Sequence, residues 1–301
     1  MELIRFFESI RSPFWDTIIG LITQLGEETI GIIIMCVLFW CFNKRTAYGI
    51  GIALILSGIT VQGMKICFRI ERPWIIDPTL NPIPGALEYA TGYSFPSGHT
   101  QSAAALYGTL GAQIKNKPLK TVFFIIPILV ALSRVYLGVH TLLDVVASLV
   151  ISFAFIYITL KVILNDSNTN SKKRELNIAI VIIMYSIAAV IIAAVLHTNG
   201  TIATENVIDC VKIAGTAIGF AIGMYIERVH INFSVKSKSI MRQAVKVILG
   251  IIGLVAIMEG LKLVIGTGFI SDMIRYFLMT LWIIALYPLI IKRFFILTFL
   301  Q

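Results

Sequence analysis

Long uncharged apolar runs recur along this chain, and they limit its fold more than any other feature. Ile50–Val61, Val122–Leu132, Val145–Leu164 and Ile178–Leu196 each approach or reach that description, and a helix needs about 20 such residues to cross a hydrocarbon core. The composition agrees. Of 301 residues, 57% are apolar and 14% charged, and the mean hydropathy is +0.89. A soluble domain averages about 45–50% apolar and about 25% charged. The pattern predicts an all-α, polytopic transmembrane helical bundle. It excludes a soluble enzyme and a disordered tail.

Spans are predicted near 27–43, 46–67, 97–114, 119–136, 141–163, 176–197, 207–226, 244–265 and 273–292, about nine in all. Residues 2–25 fit less easily. The apolar piece Phe14–Leu25 is interrupted by Asp16 and is too short to span, so an interfacial or half-inserted helix is expected. The polar stretch Asn165–Arg174 divides a core, 1–164, from a four-helix C-terminal extension, 175–301, whose role the sequence does not state. The N-terminus lacks a basic segment followed by a small-residue cleavage site, so no cleaved signal peptide is expected.

The net charge of +9 would suggest nucleic acid in a soluble protein. Here the basic residues lie between apolar runs, and membrane topology accounts for them better than a nucleic-acid partner does. Lys44/Arg45, Lys115/Lys117/Lys120, Lys172/Lys173/Arg174 and Lys292/Arg293 fall on one predicted side, expected to be cytoplasmic. Four cysteines without paired spacing or a CxxC imply neither a disulfide scaffold nor a zinc site.

Three clusters of polar residues fall on the opposite, outer side. In the first, Lys65 and Arg72-Pro73 are separated by six residues. The spacing of seven is about two helical turns, which would put both cations on one face, with Pro73 ending the helix. They fit an anion site, or simply basic side chains snorkelling to the interface. The second is Pro96-Ser97-Gly98-His99 ahead of the 100–114 helix. Ser97 can cap that helix, and Gly98 lets a ligand approach backbone N–H groups at the positive end of the helix dipole, as a phosphate cradle does. An ordinary capped helix start would look the same. The third runs Ser133-Arg134, five residues, His140, three residues, Asp144. At i, i+4 the carboxylate can share a helix face with the imidazole, fix its tautomer and leave the other nitrogen to attack. A buried His–Asp hydrogen bond between helix ends is the plainer alternative.

Together, K-x6-RP, PSGH and SR-x5-H-x3-D closely resemble the signature of the type-2 phosphatidic acid phosphatase superfamily, which includes lipid phosphate phosphatases and is related to vanadium haloperoxidases. The resemblance covers about residues 27–164. It implies a helical membrane core and a metal-free phosphatase site without a cofactor. By motif position, His140 is the expected nucleophile, forming a phosphohistidine, and Asp144 orients it. His99 is the expected acid and then base. Lys65, Arg72, Ser97, Gly98 and Arg134 are expected to hold the phosphoryl oxygens. The acids of the neighbouring loop, Glu71, Asp77 and Glu88, are scattered and make no metal cage. The 73–96 loop holds five of the nine prolines, and with Trp74, Tyr89, Tyr93 and Phe95 it suits a mouth at the headgroup level.

The implied substrate is a membrane lipid phosphate or pyrophosphate of the undecaprenyl pyrophosphate, phosphatidylglycerol phosphate or phosphatidic acid class. Hydrolysis is expected at the extracytoplasmic face of a bacterial plasma membrane. A lipid phosphotransferase with the same site is the nearest alternative, and an anionic lipid or solute transporter a more distant one. In the C-terminal part, Gly215, Gly219 and Gly223 form a small-residue ridge that serves helix packing inside the chain or between copies in a homo-oligomer. The i, i+3 pairs Asp209/Lys212, Glu259/Lys262 and Asp272/Arg275 read as structural neutralisation.

Overall fold

A computed structural model describes residues 1–87, 90–163, 171–235 and 239–297, and among them helices are the only regular elements. The protein is a multi-pass membrane protein. Seven helices are long and apolar enough to cross a bilayer: Lys44–Ile76, Lys117–Tyr136, Leu142–Lys161, Lys172–Thr198, Thr204–Ile231, Ile240–Ile265 and Phe269–Arg293. An eighth span results if Pro13–Gln24 and Glu28–Phe42, bent by 48°, count as one.

Two expected spans account for the difference from nine. The 97–114 segment is helical only over Gly98–Gln113, with a π-helical turn at Ala104–Gly108. That is roughly 24 Å of helix at 1.5 Å per residue, short of the ~30 Å hydrocarbon core. The 27–43 segment forms the second limb of the bent pair. The expected linker, 165–174, lies mostly outside the described residues, and its last four residues already belong to the Ser171–Thr198 helix.

The chain divides into two units. The first comprises Met1–Ile33 and Ile52–Val162. In it the N-terminal residues, which the sequence placed poorly, form Glu2–Ser9 and Pro13–Gln24. Ser12 caps the second helix and Pro13 fills its first position, where a missing N–H costs nothing. Ile4 packs with Leu80, Ala131, Val135 and Val145. Arg11 donates to the Tyr136 carbonyl at 2.7 Å, and the Tyr136 hydroxyl donates to Asp16 at 2.7 Å. These contacts tie the N-terminal helices to the end of Lys117–Tyr136. A buried polar ladder also links the helices: Gln101 donates to Ser57 at 2.7 Å and Ser148 to the Ser97 carbonyl at 2.8 Å.

The second unit comprises Ile34–Gly51 and Ile163–Gln301. Its centre is the Thr204–Ile226 helix, packed against Ser171–Thr198 and Phe269–Leu281. The glycine ridge makes the second contact possible. A Cβ at Gly215 would lie 2.4 Å from the Met273 carbonyl oxygen, and one at Gly219 would lie 2.3 Å from that of Phe277. The ridge at Gly215, Gly219 and Gly223 is therefore filled by the chain's own helix. The Trp40 indole donates to the Ile283 carbonyl at 2.9 Å. Lys44 donates to the fully buried Glu227 at 2.8 Å. Asp272–Arg275 and Asp209–Lys212 close as ion pairs, at 2.7 and 3.7 Å.

Gly219→Ala tests the ridge. A mid-helix Gly→Ala change ordinarily gains about 0.5–1 kcal/mol, but here the methyl meets backbone. We expect a net loss of about 1–3 kcal/mol, the usual range for overpacking, read as a lower unfolding midpoint in detergent. The loss at Gly223, where a Cβ meets only side chains, Ile284 at 3.1 Å and Leu281 at 3.7 Å, should be smaller.

Candidate active site

The three polar clusters meet in the first unit. The Lys44–Phe68 helix stops with three residues left before Arg72, which is extended (φ −67°, ψ 151°) ahead of Pro73 as the proline demands. Lys65 and Arg72 therefore do not share a helix face, contrary to the spacing argument. Arg69 takes a left-handed turn (φ 51°) between them. Lys65 is half-buried and bears electrostatically on both His99 and His140.

Arg72 is 3% exposed. Its guanidinium donates to the carbonyls of Thr91 (2.6 Å), Gly92 (3.0 Å) and Val139 (3.1 Å), and its Nη1 lies 2.9 Å from Nε2 of His140. An arginine can only donate, so Nε2 of His140 carries the lone pair and Nδ1 the proton. Nδ1 in turn faces Asp144 Oδ2 at 3.4 Å. The expected dyad is present, but by a different route. His140 precedes the helix, which Thr141 caps, and Asp144, the third residue of the helix, closes the capping box. Asp144 Oδ2 accepts from the Thr141 amide at 2.7 Å and from the Ser94 hydroxyl at 2.6 Å.

Arg134 ends the preceding helix, and Gly138 (φ 79°) turns the chain back towards His140 in a conformation that suits glycine. Arg134 is 1% exposed. Its Nη1 donates to Thr23 Oγ1 at 3.0 Å, while Nε and Nη2 are buried with no hydrogen-bond partner. An unsatisfied buried donor costs about 1–3 kcal/mol, and more when charged. Such a group suits an incoming anion.

Ser97 is fully buried and works as a cap, accepting from the Thr100 amide (3.5 Å) and hydroxyl (3.1 Å). Its own amide donates to the Asp144 carbonyl at 3.2 Å, which ties the second cluster to the third. A Cβ on Gly98 would meet nothing within 4 Å, so the space beside that backbone is open among the described residues. His99 pairs through Nε2 with Glu27 Oε1 at 2.7 Å. Glu27, Thr23 and Ser94 were not foreseen. Glu27 stands at the edge of an apolar run, and an ionisable residue there is a functional candidate by default; Thr23 and Ser94 carry no sequence signal. Among the described residues no three His, Cys, Asp or Glu side chains gather as a metal site.

Residues 46–167 match the PAP2 superfamily, and residues 211–298 match the transmembrane extension of PAP2 superfamily phosphatases. Phosphatidylglycerophosphatase B of Bacillus subtilis is 30% identical over 147 residues, covering 45% of this chain and 69% of that protein. A probable sphingosine-1-phosphate phosphatase of Dictyostelium discoideum is 28% identical over 176 residues, 53% of this chain and 41% of that one. The crystal structure of Aquifex aeolicus LpxE aligns with a TM-score of 0.48 at 28% identity, covering 53% of this chain and 93% of that chain.

Burial first, and then the charges of Arg72, Arg134 and Lys65, hold the His140 imidazole well below the ordinary histidine range. Because the charged form is disfavoured, lowering the pH through 6.5 should leave His140 neutral. Histidine-labelled NMR in detergent should show no titration of this ring near pH 6.5. Arg72→Met removes the nearest cation and should move the titration upward.

Proposed function

This chain belongs to the PAP2 superfamily, and from that membership we propose that it is a membrane lipid phosphatase working through His140, His99 and Asp144. The observation that carries the reading is Arg134: two buried, unpartnered guanidinium nitrogens beside an oriented His–Asp pair. Lys65, Arg72 and Arg134 exceed the neighbouring acids Asp144 and Glu27 by one charge, so the site favours an anion. Phosphoryl transfer needs mainly positioning and fixed charge around the equatorial oxygens, and three cations supply both.

In the proposed reaction the Nε2 lone pair of His140 attacks phosphorus in line. The phosphoryl oxygens take over donors from Arg72 and Arg134 and from the open backbone at Gly98. The P–O bond to the leaving group breaks, and His99 gives the departing oxygen its proton. Asp144 accepts from Nδ1–H and stabilises the charge that builds on the ring. Neutral His99 then takes a proton from water as its oxygen attacks phosphorus. The P–N bond breaks, releasing inorganic phosphate and restoring His140. Among the described residues the donor set offers no cluster for a divalent ion, and we propose that the three cations do the work of metals. The relatives, named for phosphatidylglycerophosphate and sphingosine-1-phosphate, support a lipid phosphate substrate. The undecaprenyl pyrophosphate, phosphatidylglycerol phosphate and phosphatidic acid classes are the ones to test. The distribution of basic residues supports an extracytoplasmic site.

The test is phosphate release by purified protein from a panel of these lipids, with and without EDTA. Activity should survive EDTA, and His140→Ala should abolish it. His99→Ala should lose about 10²–10⁴-fold, the usual worth of a general acid. Asp144→Asn should be slower but active, and less stable by ~1 kcal/mol through the damaged cap. A fully active, verified His140→Ala protein would end this mechanism, and EDTA inactivation reversed by a divalent ion would end the metal-free part of it.

A further inference from the structure

We propose that Glu27 is a positioning residue for this phosphatase reaction, holding the His99 imidazole so that its other nitrogen serves the leaving group. The inference rests on His99 being the acid of the proposed mechanism. It concerns a residue outside 46–167, the stretch matched by the superfamily's domain, where the chain joins two bent helices.

Five residues at that bend make three contacts with the site. Thr23 accepts from Arg134 at 3.0 Å. Gly26 is packed directly onto His99: a Cβ there would lie 2.8 Å from the His99 carbonyl oxygen and 3.2 Å from its Cβ. Glu27 meets His99 Nε2 at 2.7 Å. The bend itself is closed by its own backbone, with the amides of Gly26 and Glu27 donating to Thr23 and Gln24 at 2.9 Å. Both partners are largely shielded, at 15% and 20% side-chain exposure, which strengthens a charged hydrogen bond relative to one in water. The charged groups facing His99 are Glu27, Arg134 and Lys65, with His140 beyond. Glu27 is the one anion among them.

The pairing fixes the chemistry of the ring. A carboxylate accepts only, so Nε2 of His99 keeps its proton on Glu27, and Nδ1 becomes the nitrogen that exchanges protons with substrate and water. When the P–O bond breaks, the Nδ1 proton goes to the leaving oxygen, and His99 becomes neutral with Nε2–H still held. When water attacks the phosphohistidine, Nδ1 takes the proton back. Glu27 thus stands to His99 as Asp144 stands to His140, with the two rings held through opposite nitrogens.

The experiment compares Glu27→Gln, Glu27→Asp and His99→Ala on two substrates of one lipid scaffold. One has an alkyl leaving group; the other has a nitrophenyl leaving group that departs without a proton. Glu27→Gln is isosteric and can still accept from Nε2, so the fold should persist, checked by its unfolding midpoint. We expect kcat on the alkyl substrate to fall about 10- to 100-fold, part of the 10²–10⁴ a general acid contributes, and kcat on the nitrophenyl substrate to change by less than about threefold. Losing the anion beside the imidazolium should also move the alkaline limb of the pH profile to lower pH. Glu27→Asp should recover part of both effects. Equal losses on the two substrates, an unmoved alkaline limb, or full activity of Glu27→Gln would overturn the assignment of Glu27. If His99→Ala also fails to distinguish the leaving groups, the role of His99 itself falls with it.

Discussion

One oxygen of Asp144 accepts from the Thr141 amide that begins the Leu142–Ile158 helix and from the Ser94 hydroxyl, and it faces Nδ1 of His140. Its backbone carbonyl accepts from Ser97. The start of one helix, the cap of another and the orientation of the His140 imidazole therefore depend on a single buried residue. Capping is a local interaction, formed within four residues of sequence, so the ring is aimed by the same contact that starts the helix. A side chain set this way needs no separate scaffold to hold it.

The buried arginines follow from this arrangement. Arg72 is held mostly by carbonyls of the 91–92 segment and of Val139, dipoles that stabilise a cation without cancelling it. Arg134 has less support, a single hydroxyl from Thr23. Two guanidinium groups close enough to repel, one of them incompletely satisfied, raise the energy of the site. In the proposed reaction an arriving phosphoryl group would relieve that cost.

Much of this was legible in sequence, because the proposed chemistry rests on short motifs and the membrane fold on long apolar runs. Lys65, Arg72, Ser97, Gly98, His99, Arg134, His140 and Asp144 all lie in one unit, as their pattern required. Periodicity misled where helices end. It treated Lys65 to Arg72 and His140 to Asp144 as continuous helix, whereas Arg69 breaks the first and Thr141 caps the second. It also could not tell a short, largely buried apolar helix such as 97–114 from one long enough to span. The partners of Thr23, Glu27 and Ser94 were invisible for another reason. Their meaning depends on contacts across 46 to 111 positions of chain, which no local pattern encodes.

The bend between Pro13–Gln24 and Glu28–Phe42 has a practical side for anyone trimming this protein. Family likeness begins at residue 46, and a boundary drawn there, or anywhere after Glu27, would retain every recognisable motif. It would also strip His99 of its carboxylate, uncover the backbone against which Gly26 rests, and leave Arg134 without its one hydroxyl partner. Such a fragment would pass any motif search intact while missing the wall against which His99 rests.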